Sequence, residues 1–208
     1  HLNANQLIDI SALANLTNLT ELDLYTNQLT DISALANLTS LTRLDLSNNQ
    51  LTDISELSNL TNLTNLRLVD NQLSNISPLA DLTNLTTLKL LQNKISDISS
   101  LVNLTNLAHL ELQNNQIKDI VTLVENTGVS GIIYLRNNPL NNTALSTHIP
   151  ALEARGVKVG YDMLGGVVLF KDANLEKAIR DALKIPMLKK EDLAGLEKLS
   201  APRRGITN

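Results

Sequence analysis

Read for apolar and polar positions, residues 1–140 repeat one pattern with a period of 22. Asparagine recurs at Asn5, Asn27, Asn49, Asn71, Asn93 and Asn115, and around each the same leucines and isoleucines return. Around the second asparagine the frame runs Leu19, Leu22, Leu24, Asn27, Leu29, Ile32, Leu35, Leu38. One period later it runs Leu41, Leu44, Leu46, Asn49, Leu51, Ile54, Leu57, Leu60. A seventh turn, Ile133, Leu135, Asn138, Leu140, follows with one residue inserted. Such a period marks a solenoid, whose units bury their apolar faces only against their neighbours.

The spacing predicts the elements of each turn. Leu22 and Leu24 stand two apart, so both point to one side of a short strand. Each such leucine, fully buried, contributes roughly 1.5–3 kcal/mol. Stacked units then align their strands in a parallel sheet. Ile32, Leu35 and Leu38 are spaced by three, which predicts a return segment of 3₁₀ character. At the bend, the asparagine amide can satisfy backbone groups, and stacked copies can form a ladder. Asp9, Asp31, Asp53, Asp97 and Asp119 each precede an inward isoleucine where the return turn begins. That is a place for capping backbone amides, which explains them more simply than a row of ligands does.

Composition narrows the picture. Hydrophobic residues make up 43% of the chain but aromatics only 2%, so the core is aliphatic. The net charge is -4 without a Lys/Arg run, which leaves no footprint for nucleic acid. There are no cysteines, which removes disulfides, cysteine–zinc sites and thiol nucleophiles. The longest apolar run, Val167–Phe170, is too short for membrane insertion. The recurring Asn-Leu-Thr triplets match a glycosylation sequon only because the repeat generates them. The chain opens at His1 without an initiator methionine and reads as a fragment or a mature piece.

The strings NQLIDISALANLTNLTELDL, from Asn5, and NQLTDISELSNLTNLTNLRL, from Asn49, resemble the 22-residue leucine-rich repeats of internalin-type bacterial surface proteins. The resemblance covers essentially the whole chain. Eukaryotic phosphatase-regulator repeats of the same length are the nearest rival. The resemblance implies an α/β solenoid: a leucine-rich-repeat horseshoe with a parallel concave sheet, a 3₁₀ or irregular convex side, and helical cap segments. It also implies a non-catalytic scaffold, bacterial and at the cell surface or secreted, that holds a protein partner on its concave face without a cofactor. The alternative is a structural spacer, with modules assembling head to tail through their caps.

Three segments follow from the pattern: the repeats over 1–140, a C-terminal cap over 141–165, and a helical N-cap-like segment over 166–208. Asn141 to Arg155 reads as helical, with Asn142 or Thr143 as the capping side chain. Gly156 ends the helix, and a strand follows over Val157 to Tyr161. The string HIPALEARGVKVGYD looks like the C-terminal cap of bacterial repeat proteins. No immunoglobulin-like domain, the usual continuation in internalins, is visible after it.

Beyond Gly165 and Gly166, Asp172 to Leu183 is an amphipathic helix that Pro186 ends, and a second helix covers Lys190 to Leu199. This pair resembles the N-terminal cap of the same family. Leu193, Leu196, Leu199, Ala201 and Ile206 then re-enter the repeat frame, with Arg204 at the asparagine position. Thirteen residues would complete a turn from Asn208, four past Arg204, to His1, four before Asn5. Three origins fit: excision from a tandem array, a rearranged order of segments, or a cap that pairs with a neighbouring chain. An uncovered first turn is a sticky strand edge, so head-to-tail self-association through 167–208 is an expectation. Lys189, Lys190, Arg203 and Arg204 read as a solvated cap surface.

Between the inward leucines, three positions per turn point outward and vary while the frame stays constant. Two before the asparagine stand Asn3, Tyr25, Ser47, Val69, Leu91, Gln113 and Arg136. Four before it stand His1, Asp23, Asp45, Arg67, Lys89, Glu111 and Tyr134. Six before it stand Glu21, Arg43, Asn65, Thr87, His109 and Ile132. Variation on a constant frame is the composition of a recognition surface. The candidate contact set is Tyr25, Arg43, Asp45, Arg67, Val69, Lys89, Leu91, His109, Glu111, Tyr134 and Arg136. Tyr25, Val69, Leu91 and Tyr134 stand out as apolar groups where solvent is expected. The plainer reading is a solvated sheet carrying a few scattered apolar residues.

Glu21, Asp23 and Asp45 form an acidic corner that invites a calcium or paired-carboxylate reading. Arg43 and Arg67 are neighbours, however, and ion pairing accounts for the corner without a metal. His109 beside Glu111 lacks a nucleophile, so no catalytic residues are assigned. His148, next to Pro150 in the cap helix, reads as structural.

Overall fold

The computed structural model describes residues 2–162. The expected helices after Gly166 and the repeat frame resumed at Leu193 lie outside them. Strands β1 Glu21–Asp23, β2 Arg43–Asp45, β3 Asn65–Arg67, β4 Thr87–Lys89, β5 His109–Glu111, β6 Ile132–Tyr134 and β7 Lys158–Gly160 form one parallel sheet in chain order. Register advances one turn per strand, with Leu22 opposite Leu44, Leu44 opposite Leu66 and Leu66 opposite Leu88. Only the middle residue of each strand points into the core. The ladder runs on past each strand, as where the N–H of Leu24 donates to Asp45 O (2.8 Å) and that of Thr26 to Ser47 O (2.9 Å).

The chain returns through 3₁₀ turns at Ser11–Leu13, Ser33–Leu35, Ser55–Asn59, Ser77–Leu79 and Ser99–Leu101, as the spacing of three predicts. Each begins at the aspartate column: the N–H of Ser33 donates to Asp31 Oδ1 (2.8 Å), and that of Ser99 to Asp97 Oδ1 (2.8 Å). Asn75 serves Ser77 in the same way. The leucines and isoleucines of the frame form one continuous core, most of them with no exposed surface from Leu24 onward.

The sixth return segment departs from the pattern. It is a short α-helix, α1 Val121–Glu125, in the turn that carries the extra residue. Asn126 then occupies a position the frame gives to leucine, and it is buried. It is tolerated because its amide is fully used. Nδ2 donates to the carbonyls of Leu101 (2.8 Å) and Leu104 (3.1 Å), and Oδ1 accepts from the N–H groups of Gly128 and Val129. Gly131, at φ +66°, passes so close to the preceding turn that a Cβ there would meet Ala108 O at 2.1 Å. Only glycine fits both demands.

The asparagines form the expected ladder, and each ties two turns together. Asn49 Nδ2 donates to Leu46 O of its own turn (3.0 Å) and to Leu24 O of the turn before (3.1 Å). Its Oδ1 accepts from the N–H of Leu29 in that preceding turn (3.0 Å). Asn27, Asn71, Asn93, Asn115 and Asn138 repeat the arrangement. The residue before each asparagine is left-handed: Ala4, Thr26, Asn48, Asp70, Gln92, Asn114 and Asn137 all have φ between 53° and 61°. A β-branched residue such as Thr26 is disfavoured there, whereas asparagine tolerates that region.

In the C-terminal cap, the capping side chain is Asn141, one residue earlier than Asn142 and two earlier than Thr143. Asn141 Oδ1 accepts from the N–H of Ala144 (2.7 Å). The helix opens with a π-turn, Ala144–His148, before α2 Ile149–Ala154. Pro150 brings no N–H, and the wider turn closes instead from Ile149 N–H to Ala144 O. The Arg155 guanidinium donates to Val124 O and Asn126 O, both at 2.8 Å, and clamps the cap to the last full turn. Gly156, at φ +84°, ends the helix. His148 is largely buried with Nδ1 3.1 Å from Asp119 Oδ1, a structural position.

Two substitutions test this account by urea denaturation. Asn71→Ala orphans buried N–H and C=O groups on both adjoining turns and is expected to cost about 2–3 kcal/mol. Thr26→Asn relieves the left-handed strain and gives Asn48 a better side-chain partner. It is expected to stabilise by roughly 0.5–1 kcal/mol.

Candidate functional site: the concave face

The parallel register aligns the variable positions into columns across one face. In β1 to β6 the first and third residues of each strand point away from the core, as Glu21 and Asp23 do around Leu22. The column two residues before the asparagine lies just past the strand ends, held by the continuing ladder. The strand expected over Val157 to Tyr161 is β7, and its pairing was not foreseen: it lies in register with β6, Ile132 opposite Lys158 and Tyr134 opposite Gly160. The cap thereby adds a strand to the face, and Lys158 becomes its last outward side chain. The signal was the expected strand near Val157, but nothing in its residues showed that it would join this sheet.

The apolar candidates are not equally open. Tyr25 is exposed (41%), whereas Val69, Leu91 and Tyr134 are half-buried. Ser47, between Tyr25 and Val69, is buried, and its Oγ accepts from the N–H of Val69 (3.2 Å). The Tyr134 ring lies over Gly160, where a Cβ would approach it to 2.9 Å, and meets the His109 ring edge-on at 5.9 Å between centroids. Tyr134 is thus held from two sides and Tyr25 is not.

Most of the charged candidates pair, chiefly between neighbouring strands. Arg43 reaches Glu21 (3.4 Å) and Arg67 reaches Asp45 (3.6 Å), so ion pairing does occupy the acidic corner. These two pairs border a shallow depression of about 150 Å³ over β1 to β3, floored by Leu22 and Leu44. Further along, Lys89 Nζ and His109 Nε2 both lie 2.7 Å from Glu111 Oε1. Burial pushes the Glu111 carboxyl up, but hydrogen bonds and charge from Lys89 and His109 outweigh it and hold it below the ordinary glutamate range. Arg136 is exposed at the far end of the face. Among the described residues, no group of three or more His, Asp or Glu side chains is placed to hold a metal.

The profile of leucine-rich repeats in two copies matches residues 1–37, 39–81 and 83–125, together more than half the chain. A search of curated proteins gives no match. Among solved structures, an internalin (InlF) of Listeria monocytogenes superposes with a TM-score of 0.69 at 37% identity, over 76% of this chain and 47% of that one. An internalin C2 (InlC2) of the same species gives 0.69 at 36% identity, over 77% of this chain and 69% of that one. The chain belongs to the internalin-type leucine-rich-repeat proteins. A leucine-rich-repeat protein of Leptospira interrogans is more distant, with a TM-score of 0.66 at 28% identity, over 75% of this chain and 40% of that one. The chain spans about half the length of the internalin InlF structure it matches. Internalin-type repeats are protein-interaction scaffolds, and no enzyme family is indicated. Among the described residues, no helix is long and apolar enough to cross a membrane.

The lowered Glu111 carboxyl makes a checkable linkage. A group whose folded pKa is depressed stabilises above its unfolded pKa, and that contribution is lost as pH falls through the folded value. Stability of the wild type should therefore fall more steeply than that of Glu111→Gln as pH drops below about 4.3. Urea midpoints at successive pH values measure it, and parallel curves would contradict the assignment.

Proposed function

We propose that this internalin-type module, with repeats over 1–140, a cap over 141–165 and a further cap-like segment after it, holds a protein partner on its concave face at a bacterial surface or in secreted form. The contact set is Tyr25, Arg43, Asp45, Arg67, Val69, Lys89, Leu91, His109, Glu111, Tyr134 and Arg136. One observation carries the reading. The sheet register assembles residues that the repeat leaves free to vary into a single surface, while the frame that builds the solenoid stays aliphatic at nearly every turn. Val69, Leu91 and Tyr134 place half-buried apolar groups on the same face as paired charges, a mixture that suits the core and rim of a protein contact.

The arrangement suits a partner that replaces solvent rather than ions. Most charges of the contact set are matched within the face, so a partner meets Arg43–Glu21 and Lys89–Glu111–His109 as preformed donor and acceptor groups with part of their ordering cost removed. Tyr25 supplies an exposed aromatic anchor and Tyr134 a packed one.

The test compares proteins captured from the natural surroundings by three forms, with each partner identified by mass. These are the wild type, a variant carrying Tyr25→Ala, Val69→Ala, Leu91→Ala and Tyr134→Ala, and a control carrying Asn37→Arg and Ser58→Arg in and beside the return turns. A protein bound by the wild type and the control is expected to drop at least about tenfold with the concave variant, a loss of about 1.4 kcal/mol or more. Equal capture by a folded concave variant would sink the reading.

A further inference from the structure

The outward columns of the concave face, with their continuation onto the cap strand, carry equal numbers of cations and carboxylates. The cations are Arg43, Arg67, Lys89, Arg136 and Lys158, and the carboxylates are Glu21, Asp23, Asp45, Glu111 and Asp162. They are not evenly spread. Over β1 and β2 stand Glu21, Asp23 and Asp45 against Arg43 alone, an excess of two negative charges. From β3 to β7 stand Arg67, Lys89, Arg136 and Lys158 against Glu111 and Asp162, an excess of two positive charges. A face that is neutral as a whole is thereby polarised along the direction in which its strands stack.

The way these charges pair keeps both ends available. Arg43–Glu21 (3.4 Å) and Arg67–Asp45 (3.6 Å) are long contacts, and the first pair has side chains 59% and 58% exposed. Exposed pairs of this length are weak and leave their charges open to a partner. Lys89 and Glu111 are closer, at 2.7 Å, and more covered. Among the described residues, Arg136 and Lys158 make no ion pair. Asp162, in register with Arg136, instead accepts from the N–H of Asn137. Both of these cations stand in the basic half. Between the two ends, Val69 and Leu91 lie half-buried just past β3 and β4 and give the face an apolar middle. From β1 to β7 there are six strand spacings, about 29 Å at roughly 4.8 Å each. Screening at physiological salt acts over about 8 Å, so the two ends address a bound molecule separately instead of cancelling.

We propose that the partner held on this face is a protein segment of the opposite polarity. It lies across the strands with basic side chains over β1 and β2, an apolar side chain against Val69 and Leu91, and carboxylates over β6 and β7. The inference rests on the concave face being the binding surface and adds the direction in which the partner is read. An aligned segment meets opposite charge at both ends, whereas the same segment turned about meets like charge at both. Because the face is neutral overall, its charges select orientation and partner rather than pulling molecules in from a distance. A second copy of this chain carries the same polarity. Two hollow faces turned onto each other touch at their rims, however, and leave Val69 and Leu91 uncovered.

The probe is a synthetic peptide of three lysines, a glycine, two leucines, a glycine and three glutamates, added at low salt to the full chain labelled with ¹⁵N. A nitroxide is attached to its lysine end in one preparation and to its glutamate end in another. The lysine-end label is expected to broaden the backbone amides of 21–25 and 43–47, and the glutamate-end label those of 132–136 and 158–160. Each label should favour its own end at least about threefold. Both labels broadening the same amides, or neither broadening any amide of the face, overturns the proposal. In Arg136→Glu with Lys158→Glu, the glutamate-end label is expected to lose its preference for 132–136 and 158–160. If that variant does not fold, the two labels on the unaltered chain decide alone. Self-association at the same concentration that needs Arg136 and Lys158 would transfer the polarity to a second copy and overturn the proposal. A protein partner captured by the wild type separates this inference from the one beneath it. Loss with the four alanines but undiminished binding to Arg136→Glu with Lys158→Glu overturns the polarity alone, whereas binding retained by the folded four-alanine variant overturns the concave reading itself.

Discussion

The structure depends on the asparagine amide at the inner corner of each turn. Leucine burial supplies most of the free energy, but it is non-directional and would tolerate neighbouring turns sliding against each other. The amide does not. With one edge donating to two carbonyls and the other accepting from an N–H of the previous turn, Asn49 allows a single relative placement of its two turns. Because it is buried, a slip leaves both its own groups and the backbone groups it served without partners. Stacked at every turn, this side chain converts a greasy column into a register.

Everything on the concave face inherits that register. Ion pairs such as Arg43–Glu21 and Lys89–Glu111 join residues one full period apart in the chain, and they meet only because the turns cannot shift. The face is a readout of the frame rather than a separate construction. Its side chains are placed by a scaffold they do not help to build, which leaves their chemistry adjustable without endangering the fold. The exception is Tyr134, wedged between His109 and Gly160, where surface and packing overlap.

The legible features were those in which one residue type recurs for one physical reason. Leu22 with Leu24, Asn27 and Asp31 repeat at a fixed spacing, and each role could be read from its chemistry. The left-handed column was invisible because its constraint falls on the backbone, and Ala4, Thr26, Asp70 and Gln92 share no side-chain property. Asn126 was unreadable because a buried polar residue is acceptable only through its bonding partners, which lie in another turn and just downstream. The cap helix began at Asn141 instead of Asn142 or Thr143 because adjacent polar residues all qualify as caps, and only the path of the chain selects one. The partners of the charged columns followed from the register once the period was known. The apolar candidates followed less well: burial depends on neighbours such as Ser47 and Gln113, and leaves Val69 and Leu91 less open than their column suggests.

The sixth turn holds one residue more than the others, yet β5 and β6 remain in register, His109 opposite Ile132 and Glu111 opposite Tyr134. The surplus is taken up between Val129 and Ile133, after α1 and around Gly131, before the strand begins. The two sides of the solenoid therefore differ in what changes they can absorb. Length variation can accumulate on the return side while the concave columns keep their alignment. Substitutions can accumulate in the columns while the return side keeps its packing. A lineage built on this plan can gain or lose residues without scrambling the surface it presents, because insertions and the outward columns lie on opposite sides of the same turn.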